Sequence, residues 1–313
     1  MMAAKSEGRR TTRKARGAVS TGDLARRAFR LAIVGAASLL LALPLSAQRG
    51  GRGGGRGGGG IDRSQLSALL GGSNDYYTPP AFHGNPPYDG RFVFARIKYS
   101  GYFAFGQEGP GWSHDYPDAD EHLMRIMKEI TILRPFVQSG PILGGAIVSL
   151  DDPELFRYPI AYMSEPGGWY PNDKEIEGLR KYLQKGGFLI FDDLSRYHWV
   201  NGAAQMARVI PGAQFVHLTG NEPIFDSFYK IDVKQVEQQC RLPANRRNCY
   251  RGTPQFWGLY ENNDPKRRLI ALANVDADIG EFWQWSGTGW AGMDVSNEAF
   301  KLGINWLIYA LTH

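Results

Sequence analysis

Cysteine is nearly absent from this chain: Cys240 and Cys249 are the only two in 313 residues. That excludes a disulfide-dense secreted scaffold and a four-cysteine zinc module. The familiar catalytic signatures are missing too. There is no nucleophile elbow GxSxG, no phosphate-binding GxxxxGK[ST], no zinc-binding HExxH, no EF-hand loop and no CxxC. No apolar run reaches the roughly 20 residues that a membrane-spanning helix needs. Positive charge is scarce everywhere except at one end. The whole chain carries 36 Lys/Arg against 31 Asp/Glu, with a pI near 9.1. Nine of the basic residues and only two acidic ones fall in 1–47, and Arg49, Arg52 and Arg56 follow directly. The remainder holds 24 basic against 29 acidic residues. A mildly acidic domain excludes a nucleic-acid partner, because phosphates select a basic face.

What is present begins with a leader. Residues 1–30 are basic and polar, 31–43 read LAIVGAASLLLAL, and PLSAQ follows. A positive start, a short apolar core and a small residue at Ala47 make a secretory signal peptide over 1–47. Thirteen helical residues rise only about 20 Å, short of the roughly 30 Å hydrocarbon layer. An uncleaved anchor remains the alternative, since Leu45 is a poor residue for the third position before the cleavage site. Arg26-Arg27-Ala28-Phe29-Arg30 also fits a twin-arginine export signal, so two export routes stay open. The protein is therefore expected to be exported, to the periplasm or beyond, touching membrane only if the leader persists. Residues 48–60, QRGGRGGGRGGGG, have no apolar side chain to bury and cannot offset their ordering entropy, so they read as a flexible tether. Their glycines only imitate a phosphate loop. Residues 61–90, rich in Gly and Pro, read as a surface arm.

From 91 onward strands and helices alternate. Strands are expected at 91–99, 146–150, 159–163, 188–191, 214–218 and 269–274, and helices at 118–133, 174–184, 199–209 and 296–311. The run FLIF at 188–191 is apolar on both faces, as a buried parallel strand is. The pattern implies an α/β fold, a doubly wound and mostly parallel sheet. Residues 230–255 break the rhythm and read as an insertion carrying the cysteines. Close in sequence and in an oxidising compartment, Cys240 and Cys249 are expected to form a disulfide.

Open parallel sheets bind ligands beyond the carboxyl ends of their strands, and that rule ranks the polar clusters. Asp192 and Asp193 follow FLIF, with His198 and Trp199 close behind. Trp112, His114 and Asp115 precede the first helix. Asp276, Asp278 and Glu281 follow the strand at 269–274. Each cluster also has a plain structural explanation, as helix caps or rim packing. The sharper expectation is one cleft in which Trp112, His114, Asp115, Asp192, Asp193 and Trp199 bind a ligand, with Asp192, Asp193 and His198 as the catalytic group if there is catalysis. No cofactor is expected and no metal ligands are assigned. Carboxylates from several clusters would suit Ca²⁺ or Mg²⁺, and His114 or His198 would turn the choice toward a transition metal.

Five ordered segments carry a resemblance: GWSHDYPDADEHL (111–123), SLDDPELFRYP (149–159), GGFLIFDD (186–193), EPIFDSFY (222–229) and LGINWLIYALTH (302–313). Over 91–313 the chain resembles the bacterial domain-of-unknown-function family 4159. That family is similar in fold to class I glutamine amidotransferases, so the resemblance implies a flavodoxin-like sheet, and it implies no established activity. A working glutamine amidotransferase presents a nucleophilic cysteine after a strand. Here FLIF leads to Asp192 and Asp193, so cysteine-dependent amidase chemistry is not expected. Two functions stay open. One is a non-catalytic module of the cell envelope that binds a small molecule, a glycan or an envelope protein. The other is a carboxylate-dependent hydrolase acting on glycans.

One intact-mass measurement on the exported, non-reduced protein checks both covalent expectations. The chain is expected to begin at Gln48 and to lack two hydrogens, the bridge closing a ten-residue loop that contributes about 2.7 kcal/mol by chain entropy. A mature chain starting at Met1, or two free thiols, contradicts the respective expectation.

Overall fold

The computed structural model describes residues 84–100, 111–136, 145–239 and 253–313. The leader, the tether, most of the arm and both cysteines of the expected disulfide lie outside the described residues. Within them the strands are β1 (Phe94–Lys98), β2 (Gly145–Ser149), β3 (Ile160–Ser164), β4 (Phe188–Leu194), β5 (Phe215–Leu218), β6 (Gln255–Tyr260) and β7 (Leu269–Val275). The helices are α1 (Asp118–Ile130), α2 (Asp173–Gln184), α3 (Arg196–Val209), α4 (Val233–Gln239), α5 (Ile279–Gln284) and α6 (Met293–Thr312). Among the described residues no helix is long and apolar enough to cross a membrane.

The strands form one seven-stranded sheet in the order β2-β1-β3-β4-β7-β6-β5. Pairs from β2 through to β7 are parallel. β6 runs antiparallel to both of its neighbours, so it alone opposes the common direction. The five parallel strands follow the flavodoxin-like order, in which the connections part to opposite sides between β1 and β3. That is the α/β doubly wound sheet expected from the alternation of elements.

Strict alternation along the strands divides the core in two. Phe94, Ile160, Tyr162, Phe188, Ile190 and Leu272 face the layer of α1, α5 and α6, meeting Leu123, Met127, Trp283 and Trp306. Ala95, Ile97, Ala161, Met163, Leu189 and Phe191 face α2 and α3, meeting Ile176, Leu179 and Met206. α2 starts on a capping box in which the Asn172 side chain accepts from the N–H of Glu175 and the Glu175 carboxylate accepts from the N–H of Asn172.

Three features differ from the sequence expectation. β6 lies at the edge of the stretch taken as an insertion. It pairs antiparallel with both β5 and β7, an arrangement that the alternation of strands and helices does not announce. The start of that stretch is also core, since Ile231, Val233 and Val236 are buried. Finally, α5 is six residues long, too short to display a helical period.

One polar residue crosses this architecture. Arg96 on β1 is fully buried on the α1 side. Its Nη2 donates to Asp120 Oδ1 at 2.5 Å and its Nε to Asp120 Oδ2 at 3.1 Å. Its Nη1 donates to the backbone carbonyls of Trp112 (3.1 Å) and His114 (2.7 Å). The Tyr162 ring packs 5.0 Å from the guanidinium carbon. Burial opposes the charge, but the Asp120 carboxylate outweighs it and holds the guanidinium pKa above its usual value. The fork thus ties the loop before α1 to α1 itself. Asp120→Asn leaves a buried cation without its counter-charge and is expected to cost about 3 kcal/mol or more. The double change Arg96→Met with Asp120→Leu should recover most of that. Urea midpoints of the three proteins check it, and equal midpoints for Asp120→Asn and the native chain contradict it.

Candidate functional site

Four segments bring acidic residues to the carboxyl edge of the sheet. The loop held by Arg96 presents His114 and Asp115. Glu165 follows β3, Asp193 sits at the bulged end of β4, and Asp278 and Glu281 come from the turn into α5. His114 is the centre. Its Nδ1 lies 3.3 Å from Asp193 Oδ2 and 3.4 Å from Asp115 Oδ1, and its Nε2 lies 3.9 Å from Glu281 Oε2. Among the described residues, two groups bring a histidine nitrogen and two carboxylate oxygens within 4.8 Å of one another. They are His114 with Asp115 and Glu281, and His114 with Glu165 and Asp193.

The backbone is bent to make this possible. Asp115 (φ 64°), Glu165 (φ 45°), Asp193 (φ 57°) and Asp276 (φ 55°) all adopt the left-handed region. Such conformations cost about 1 kcal/mol or more each and persist where surrounding structure enforces them. The Tyr99 hydroxyl enforces one, lying 2.9 Å from the Ser164 carbonyl and 2.6 Å from that of Glu165. Gly280 is bare for a similar reason. A Cβ there would stand 2.7 Å from both Asp115 Oδ2 and the Tyr162 hydroxyl oxygen.

The electrostatics follow from crowding. Burial alone would lower the His114 pKa, but the Asp115 and Asp193 carboxylates overcome it and push it up to about 12. Burial, then the charges of Asp193 and Asp115, raise Asp278 well above the carboxylate range. Burial and Asp115 push Glu281 up to about 7, against the pull of His114.

The expected residues divide three ways. His114, Asp115, Asp193, Asp278 and Glu281 come together. Asp192 lies beside them but is fully occupied. It accepts from the Tyr162 hydroxyl (2.8 Å), Asn274 Nδ2 (3.0 Å) and the backbone N–H groups of Ile279 and Gly280, the latter at 2.8 Å. Burial pushes its pKa up to about 6 while those donors restrain it. It anchors the start of α5. Asp276 is likewise spent, paired at 2.6 Å with Arg196 at the start of α3. The remaining residues are not brought in. Trp112 is buried in the core, and Trp199 packs on Phe191 and Phe215 in the α2/α3 layer. His198 is exposed on α3, above Gly167. Sequence reasoning missed Glu165, although its place just past a strand matches that of Asp192 and Asp193.

The raised Glu281 pKa has a consequence for stability. A carboxyl whose folded pKa lies above its unfolded value stabilises the fold at low pH and loses that contribution as pH rises through about 7. Glu281→Gln is neutral at every pH. It is expected to unfold at the same urea concentration as the native protein at pH 4.5 and at a higher one at pH 8. Urea titrations at both pH values read this directly, and a gap independent of pH contradicts it.

Comparison with known proteins comes down to one family. The profile described as "Domain of unknown function (DUF4159)" matches residues 93–311, well over half the chain and nearly all of the sheet and its helices. No curated protein matches the sequence. The chain belongs to the DUF4159 family of domains of unknown function.

Proposed function

We propose that this domain is an exported binding module of the cell envelope, and that its ligand carries positive charge and seats on the acidic cluster at the carboxyl edge of the sheet. The observation that supports this most is the surplus of carboxylates around one imidazole: Asp115, Asp193 and Glu281 all lie within 4 Å of His114. Three carboxylates around a single imidazole carry more negative charge than one imidazolium balances, and a further cation would relieve the repulsion among them. The position agrees with the general rule for open α/β sheets, where ligands sit beyond the strand ends at the switch point. Neither Asp192 nor Asp276 contributes, because each is saturated by protein donors.

One observation favours a second reading, a carboxylate-dependent hydrolase acting on glycans. Burial and the Asp115 charge push the Glu281 pKa up to about 7, the range in which a general acid works. One turn further, Trp285 stands exposed beside Trp290, ring centres 6.3 Å apart, a pair suited to stacking on a sugar face.

Thermal unfolding with added ligands separates the two. Spermidine or a divalent chloride is expected to raise the Tm at low ionic strength, by an amount that shrinks with added salt. Asp193→Asn should abolish the rise while remaining folded. A rise with neutral N-acetylglucosamine oligomers alone, or turnover of those oligomers that Glu281→Gln abolishes, favours the hydrolase and overturns the binding module.

A further inference from the structure

We infer that the same cluster is a divalent transition-metal site, with one nitrogen of His114 and one carboxylate oxygen each from Asp115 and Glu281 as its ligands. This deepens the cation-binding reading and rests on it. The first ground is spacing. The three donor atoms lie within 4.8 Å of one another, and donors bound at about 2.0–2.4 Å to one ion are never farther apart than that.

The second ground is Asp115 itself. Its side chain is wholly buried, and neither oxygen has a hydrogen-bond donor. The other buried acids nearby are provided for. Asp120 has the Arg96 fork, Asp276 has Arg196, and Asp192 has four donors. An unsatisfied buried acceptor costs about 1–3 kcal/mol, more when charged, so a buried carboxylate kept without donors calls for another partner. His114 Nδ1 also lacks a hydrogen-bond partner of good geometry, although two carboxylates stand within 3.4 Å of it. Both groups are positioned by the surrounding fold. Arg96 holds the His114 carbonyl, and Gly280 leaves room for Asp115 Oδ2.

The donor set selects the metal. An all-oxygen site suits Mg²⁺ or Ca²⁺, whereas an imidazole among carboxylates shifts preference toward Zn²⁺ and Mn²⁺. Glu165 and Asp193 form a second acidic pair within reach of the same imidazole, placed to accept its other N–H or to complete the coordination.

The test uses the full-length, untagged chain, stripped with EDTA and titrated calorimetrically with Zn²⁺, Mn²⁺, Mg²⁺ and Ca²⁺ salts. One equivalent of Zn²⁺ or Mn²⁺ is expected to bind, more tightly than Mg²⁺ or Ca²⁺. Asp115→Asn and Glu281→Gln should each weaken it by about 10-fold or more. The exposed Asp151→Asn should change nothing. Co²⁺ provides a readout that does not depend on stability: its visible absorption should shift when His114→Gln removes the nitrogen donor. Circular dichroism establishes that each variant is folded. If no divalent ion saturates the chain, or if Asp115→Asn and Glu281→Gln bind as the native protein does, the metal site is wrong. Should spermidine still raise the Tm in an Asp193-dependent way, only the metal falls. If neither cation acts, the cation-binding reading falls with it.

Discussion

A buried guanidinium on the second β-strand of the sheet order holds this domain's chemistry in place. Arg96 divides its donors between Asp120 on α1 and the carbonyls of the loop that carries His114. A buried charge is tolerated only where geometry and hydrogen bonds repay its desolvation. Here that demand ties two things together, the start of α1 through Asp120 and the backbone of the segment before it at Trp112 and His114.

Asp192 performs the complementary task from the other side. Its carboxylate gathers Tyr162, Asn274 and the first N–H groups of α5, drawing that helix onto the ends of β3, β4 and β7. Because α5 is seated there, Asp278 and Glu281 reach the neighbourhood of His114. Two adjacent aspartates therefore do different work. Asp192 is enclosed on the α1/α5 side, whereas the left-handed turn at Asp193 swings its carboxylate to the imidazole. Neighbouring side chains on a regular strand point to opposite faces, and the bulge near the end of β4 alters that geometry locally.

The acidic edge has a cost that is offset only in part, where Asp278 caps α5 and Asp276 pairs with Arg196. Burial and mutual repulsion raise the carboxyls of Asp278 and Glu281, and four acidic residues around the edge occupy left-handed backbone. The two core layers are built mainly from apolar side chains and do not include these groups. Strain and charge accumulate at one place in a fold otherwise regular.

The sheet and most of its helices were legible in the sequence because period and burial are local properties. FLIF is apolar on both faces wherever it sits between two layers, and α1, α2 and α6 each display a buried stripe. The acidic clusters were legible too, as strand-end carboxylates. What the sequence could not carry was direction. Whether Asp192 or Asp193 faced His114 depended on a backbone bulge and on donors arriving from Tyr162 and α5, 30 and more residues away in the chain. Of the two tryptophans expected as walls of a cleft, Trp112 is buried in the core and the half-buried Trp199 packs on Phe191 and Phe215, since an indole gains from contact with apolar side chains. Glu165 drew no notice, since a lone glutamate before Pro-Gly-Gly looks like any turn. By itself, then, the sequence determined the α/β class, every strand but β6, and the residue types crowding the carboxyl edge, all of which follow from the spacing of apolar and charged side chains. Only the tertiary structure decided which of those carboxylates meet His114. Electrostatic neighbours are set by strand order, loop path and backbone handedness, and none of these is written in any one segment of the chain.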